Sequence, residues 1–223
     1  MKEREIMRDH FEEKLDAVYN HLTRMGERCS LSVSQAVQAL LDQNANMAKE
    51  VIQSEREVNT LSESIERECV LIVLKEQPVA HDLRFITASL HMINDLERIG
   101  DIAYDISELV LEMIDRHEQK RQLGTLESMA HTASLMISDA VESYIQGDED
   151  LARETGARDD IVDEHFVKAC DEIIEEIQNQ TIDASTAVDL IMISKYLERI
   201  GDHAQNISEQ VLFSLTGEVI KFD

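Results

Sequence analysis

Apolar residues recur at intervals of three and four along almost the whole chain, and strand formers never alternate over a useful length, so the pattern predicts helices. A first helix is expected from about Arg8 to Ala48. Its stripe runs through Leu15, Val18, Leu22 and Met25, then Val33, Val37, Leu40 and Leu41, with a bend expected near Gly26. A second helix is expected from about Met47 to Lys75, with Val58, Leu61, Ile65, Cys69 and Ile72 on one stripe, and Pro78 ends it. Pro is tolerated in a first helical turn and a carboxylate is favoured there, so Pro78 and Asp82 predict a third helix from near Gln77 to about His117. Polar residues from Glu118 to Thr125 read as a linker, and three further helices follow.

The segment Leu96-Glu97-Arg98-Ile99-Gly100-Asp101-Ile102-Ala103-Tyr104-Asp105-Ile106-Ser107 returns as Leu197-Glu198-Arg199-Ile200-Gly201-Asp202-His203-Ala204-Gln205-Asn206-Ile207-Ser208. Each copy carries an apolar stripe, Leu96, Ile99, Ala103, Ile106 and Val110 in the first and Leu197, Ile200, Ala204, Ile207 and Val211 in the second. The repeat reaches further, since Met47-Ala48-Lys49-Glu50 and Val58 align with Leu151-Ala152-Arg153-Glu154 and Val162. Asp82 aligns with Asp183, but only after a net three-residue deletion in the turn before the third helix, where a loop change is tolerated. The expected fold is therefore all-α, with two tandem three-helix bundles, six helices in total, related by internal duplication. Their bounds are expected at 1–118 and 124–223, with 119–123 as the linker.

Glu97 and Asp101 sit four apart on a helix, as do Glu198 and Asp202, so each pair shares a face roughly opposite the apolar stripe. Like charges at this spacing are locally unfavourable, and so is a Gly inside a helix; a bound cation offsets the first cost. Gly100 and Gly201 permit either a close helix contact or the approach of a ligand shell. Under the repeat alignment Glu55 and Asn59 correspond to Asp159 and Asp163, which adds a second pair of oxygen ligands from a neighbouring helix in each module. Asp105 and Asn206, one turn beyond Asp101 and Asp202, complete the candidate metal set. Glu97 with Asp101 and Asp159 with Asp163 are expected to lack a nearby Lys. Carboxylate and amide oxygens suit hard or borderline divalent cations and iron.

Composition narrows the function. Of 223 residues, 43% are apolar, enough for a packed core, while seven Gly, one Pro and 4% aromatics fit helices. A formal charge of −25 argues against nucleic acid and anionic lipid and favours cations or basic protein surfaces. The longest apolar run, Cys69 to Leu74, is too short to cross a bilayer, and residues 1–5 show no signal-peptide core, so a cytoplasmic location is expected. Cys29, Cys69 and Cys170 are odd in number and far apart, and are expected to be buried apolar residues rather than disulfide or zinc ligands.

The duplicated Leu-Glu-Arg-Ile-Gly-Asp, the stretch Gln77-Pro78-Val79-Ala80-His81-Asp82-Leu83-Arg84 and the pair Asp159 and Asp163 together resemble the PhoU family over nearly the whole chain. The resemblance implies tandem three-helix bundles with surface multinuclear metal clusters on Glu/Asp-x-x-x-Asp motifs, here Glu97 with Asp101, Glu198 with Asp202 and Asp159 with Asp163. Iron, zinc, manganese or magnesium ions are compatible with these ligands. It also implies negative regulation of phosphate uptake and the phosphate regulon through a phosphate ABC transporter and its sensor histidine kinase. That activity is signalling, without catalysis. A homodimer is expected, with membrane complexes reached only through protein partners. Asn59 stands where a second carboxylate would be stronger, and His81 where the family pattern suggests Arg. Arg84, Arg98 and Arg199 could contact partners, but each is expected to pair with a neighbouring acid.

Two other functions fit parts of the pattern. A regulator of a different ion transporter would keep the fold and change the client. A ferritin-like di-iron enzyme would need Glu-x-x-His pairs facing a bundle core, and none of the eight His has an acid three residues before it.

Overall fold

The computed structural model describes residues 2–118 and 120–222, with side chains from residue 12 onward. Met1, Gln119 and Asp223, at the edge of the first expected bundle, in the expected linker and at the end of the second, lie outside the described residues. The chain forms α1 (Lys2–Asp42), α2 (Ala45–Glu76), α3 (His81–Asp115), α4 (Gly124–Gln146), α5 (Glu149–Ala157), α6 (Asp159–Gln178) and α7 (Ala184–Thr216). The expected fifth helix is present but interrupted at Arg158, which makes α5 and α6 of one rod. Among the described residues there is no strand.

Several ends differ from the sequence-based expectation for local reasons. α1 stops at Asp42, and Asn44 starts α2 by accepting hydrogen bonds from the Asn46 and Met47 N–H groups. Pro78 lies in the connection before α3 rather than in its first turn; Gln77 ends α2 in the left-handed region and α3 begins at His81. The aligned Asp82 and Asp183 play different parts. Asp183 caps α7 by accepting from the Thr186 N–H at 2.8 Å, whereas Asp82 sits inside the first turn of α3. The repeat offset is absorbed at these ends, with α6 stopping two aligned positions earlier than α2.

Helices α1, α2 and α3 pack on one another, as α4, α5 and α6 do with α7, and both expected apolar stripes are fully buried. The two sets also share a core, because α1 packs on α4 and α3 on α7. Small residues permit the first contact. Ser30 Oγ donates to the Ser134 carbonyl at 2.9 Å, the Ser34 and Ser134 hydroxyls meet at 2.9 Å, and Gly26 lies against Val141. Gly26 therefore marks a close approach of α4 within an uninterrupted α1. At one end Tyr144 of α4 stacks on Phe85 of α3, with centroids 4.8 Å apart, and donates to the Phe85 carbonyl at 2.5 Å. Across α3 and α7, Arg84 donates to the Ser214 carbonyl at 3.3 Å, so it binds a helix end rather than the expected acid.

Cys29 and Cys69 are buried as expected, and burial pushes both thiols up to about 12; Cys170 is only half-buried, a correction to the expected core role. No helix among the described residues is long and apolar enough to cross a membrane.

A Cβ at residue 26 would lie 2.8 Å from Val141 Cγ2, and a short β-branched side chain has no free end to yield. The overpacking cost of about 1–3 kcal/mol exceeds the ~1 kcal/mol that Ala gains over Gly in a helix. Gly26→Ala is expected to lower Tm by a few degrees in a thermal melt. Gly100→Ala, whose Cβ would meet Val58 Cγ1 at 3.2 Å, is expected to change it less.

Candidate metal-binding faces

Because α1, α3, α4 and α7 are held together in the middle, α2 and α6 lie outside them, and the candidate ligands lie along the α2/α3 and α6/α7 pairs, most of them at the surface. On the first pair, Glu55, Asp101 and Asp105 line a cleft of 440 Å³ with Tyr104, Arg98 and Arg199. Asn59, Glu97 and Asp101 line an adjoining cleft of 630 Å³ with Glu63, Asn94 and Arg98. The structure thus brings all five expected residues of this module together. Glu63 and Asn94 join them and were not singled out in the sequence, although they stand four after Asn59 and three before Glu97.

This face carries its own cations and donors. Asn59 Nδ2 donates to Glu55 Oε1 at 2.9 Å, and Arg98 pairs with Asp101 at 3.2 Å as expected. Arg199 reaches in from the other module. Partial burial raises the Asp105 carboxyl above its usual range, the charges of Asp101 and Glu108 add to this, and Arg199 opposes it.

The second face is built differently. The break at Arg158 puts Asp159 at the first position of α6, where the unpaired N–H groups of a helix start favour a carboxylate. Arg158 itself is held by Asp139 and, at 2.9 Å, by Glu154. Asp159 is only 6% exposed, contrary to the expectation that the acids point away from the core. Its Oδ1 has no hydrogen-bond partner, and a Cβ on Gly201 would come within 2.5 Å of that oxygen. Gly201 therefore makes room for a ligand oxygen, whereas Gly100 at the equivalent place makes room for Val58. Burial pushes the Asp159 carboxyl up to about 7, with the charges of Asp202, Asp163, Glu198 and Asp160 adding to it. Asp163 and Asp202 are raised too, first by burial and then by Glu198, so Asp159, Asp163, Glu198 and Asp202 form one electrostatic group.

Lys195 corrects the expectation of a lysine-free site. Its ammonium pairs with Glu198, opposes the upward shifts of Asp163 and Asp202, and sits 5.4 Å from the Phe166 ring centroid. The aligned residue of the first module is Asn94, so no signal in the repeat pointed to a cation here. Asn206 donates to Asp95 Oδ1 at 3.5 Å, and His203 Nδ1 lies 2.8 Å from the same oxygen, so Asn206 faces α3 across the interface between modules.

Among the described residues no three His, Cys, Asp or Glu side chains are gathered closely enough to hold an ion as they stand. The ligand set nevertheless fits a hard cation on the second face. A nearly buried carboxylate oxygen without a donor, cradled against a glycine, lacks only a positive partner. The exposed Asp163 and Asp202 beside it are free to turn.

The sequence model described as PhoU domain matches residues 22–110 and 126–211. The chain is 32% identical over 212 residues to a phosphate-specific transport system accessory protein PhoU homolog of Thermotoga maritima, covering 95% of this chain and 91% of that one. It superimposes on the crystal structure of PhoU from Pseudomonas aeruginosa with a TM-score of 0.87 at 31% identity, covering 93% of this chain and all (100%) of that one. The phosphate transport system regulatory protein PhoU from Streptococcus pneumoniae has the same fold, with a TM-score of 0.84 at 24% identity, covering 95% and 100%. Two domain matches that fall on the two halves of an internal duplication, together with relatives aligned over nearly their full length, show that the chain belongs to the PhoU family.

Proposed function

We propose that this protein is a cytoplasmic regulator of phosphate uptake. It acts without catalysis, by binding a phosphate ABC transporter and its sensor histidine kinase and holding the phosphate regulon repressed. The observation that carries this reading is the family match over both halves of the chain, with relatives that are named accessory proteins of phosphate-specific transport. The acidic surface supports protein partners with basic patches, and a homodimer is part of the proposal. The di-iron enzyme reading is disfavoured because the acids sit on the outer faces rather than in a bundle core.

The second part of the proposal is that both outer faces hold metal ions. Glu55, Asn59, Glu97, Asp101 and Asp105 form the first set; Asp159, Asp163, Glu198 and Asp202 form the second. A bound divalent or iron-type ion supplies positive charge to carboxylates that otherwise repel one another. The chain's own groups set the terms. Lys195 must release Glu198 and Asp159 must lose its proton, so the second face binds an ion in competition with two internal cations.

Elemental analysis of protein purified without chelator is expected to find metal, and Glu198→Ala with Asp202→Ala to lower it by roughly half, since one of two sets is lost. Unchanged stoichiometry would remove the second set from the assignment.

In metal-free protein the Asp159 proton also controls stability. The folded-state value of about 7 lies above the ordinary 3.8, so between these the native state binds more protons than the unfolded chain. Stability from this group is therefore full below about pH 4, falls as pH rises towards 7 and levels off beyond. A shift of this size corresponds to a few kcal/mol, on the order of 10 °C in Tm. Chelator-treated Asp159→Asn is expected to lose much less Tm between pH 5 and pH 8 than the parent; parallel melting curves would contradict the buried acid.

Deleting the gene is expected to raise phosphate-starvation gene expression in phosphate-rich medium. Continued repression in the deletion strain, with no transporter or kinase retained in a low-salt pull-down, would point to a different client.

A further inference from the structure

The ligand-bearing face of α6 does not end at the acids. From Asp159 and Asp163 the same face continues at helical spacing through Val167, Cys170, Ile174 and Ile177. On α7 it continues from Asp202 and Lys195 back through Met192 and Val188. Val167 and Val188 are 60% and 58% exposed, and Ile174, Ile177 and Met192 are exposed as well. The two helices run antiparallel about the turn at 179–183, so these side chains form one apolar stripe about 15 Å long, from the acid group to the tip of the module.

The first module supplies an internal comparison. The residues aligned with Val167, Cys170, Val188 and Met192 are Glu63, Glu66, Thr87 and His91, so only Val70 and Val73, near the tip, keep the apolar character there. Both modules bury their repeated apolar stripes completely, and the first does so without the full exposed stripe, so that stripe is not needed to fold this unit. The first module exposes Val70, Leu71, Val73 and Leu74 at its tip, so what sets the second module apart is a stripe that continues from the tip to the acid group, and such a continuous exposed apolar stripe marks a binding surface.

Charge selects the occupant. α6 carries eight carboxylates and one Lys, and its acids rim the stripe on the solvent side. A second copy docked by this face would set those carboxylates against their own copies, and anionic lipid would be repelled in the same way. A groove between two helices fits a third helix, and a stripe of this length matches about three turns with apolar anchors at i, i+3, i+4 and i+7. We infer that the α6/α7 groove of the second module docks a basic amphipathic helix of a partner protein, its apolar face on Val167, Ile174, Val188 and Met192 and its Lys or Arg side chains towards the α6 acids. This deepens the proposed regulatory role by assigning a surface to one of its protein contacts.

The test uses a fluorescently labelled synthetic helix of about 14 residues with Leu at the anchor spacing and Lys elsewhere, and fluorescence anisotropy against the full chain. Saturable binding that weakens with added salt is expected. The variant V167E/V188T/M192H, which places first-module residues at exposed positions, is expected to lose tenfold or more in affinity with an unchanged circular dichroism spectrum and Tm. Equal binding by this variant, by a scrambled Leu/Lys peptide or by a Leu/Glu peptide would overturn the proposal. So would a dimer in sedimentation that the same substitutions dissociate, because a second copy would then be the occupant. In cells, full repression of phosphate-starvation genes by the triple variant would overturn the docking surface while leaving the regulatory role intact. Derepression in the deletion strain reports on that role separately.

Discussion

The close approach of α1 to α4 and of α3 to α7 is the constraint on which the rest of the molecule depends. Two three-helix units, each with long apolar stripes, bury those stripes against each other as well as internally, through Gly26, Ser30 and Ser134 on one side and the paired repeats on the other. Four helices are thereby occupied on most of their circumference. α2 and α6 remain as outer helices, and the clefts that hold the first set of acids run beside α2. The placement of the acids therefore follows from how the duplication packs, and it is why they cannot serve a ligand buried in the bundle centre.

Duplication makes the two acid faces comparable, and the comparison shows unequal electrostatics. The first face is balanced by guanidinium groups, Arg98 from its own helix and Arg199 from the other module, while Asn59 replaces a charge with an amide that satisfies Glu55. The second has four acids and one ammonium, and burial together with the neighbouring charges pushes the least exposed acid, Asp159, up to about 7. With its carboxyl pushed up to about 7, Asp159 is only partly ionised at neutral pH, so ion binding there displaces a proton. The second face is therefore the more demanding one, and the more sensitive to pH.

Much of this was legible in the sequence, and the physical reason is periodicity. Leu96, Ile99, Ala103 and Ile106 and their repeats had to share a buried stripe, and the fixed geometry of a helix then put Glu97 with Asp101 and Glu198 with Asp202 on an outward face. What stayed hidden depends on tertiary context. Arg158, at the break, pairs with Asp139, a residue of α4 with no periodic relation to it, and Asp159, the next residue, is buried. Lys195 stands three residues before Glu198 and was readable as a neighbour, yet its aligned partner is Asn94, so the repeat argument that found the other ligands looked past it. Asn206 was placed by the same repeat logic and instead meets Asp95, because the interface between modules offers it a nearer partner. The junction of α1 and α2 moved because the Asn44 cap outweighed the continuing apolar pattern, and α3 starts later than the pattern suggested because Gln77 and Ala80 take positive φ on either side of Pro78.

The acid group and the apolar groove on α6/α7 are two stretches of one face, and this links ion occupancy to docking on the proposed reading. An ion on Asp159, Asp163, Glu198 and Asp202 removes negative charge from the inner end of the groove and frees the Lys195 ammonium, which lies beside Phe166 at the junction between the two stretches. Both changes reduce the attraction for a cationic side chain arriving there, while the apolar contacts nearer the tip are untouched. The sign of the coupling follows from charge alone: a basic helix and a metal ion oppose each other at this end of the groove, and by linkage each weakens the other by the same factor. The first module, with Glu63 and Glu66 where the second has Val167 and Cys170, has acids but no continuous apolar stripe and so is not subject to the same competition.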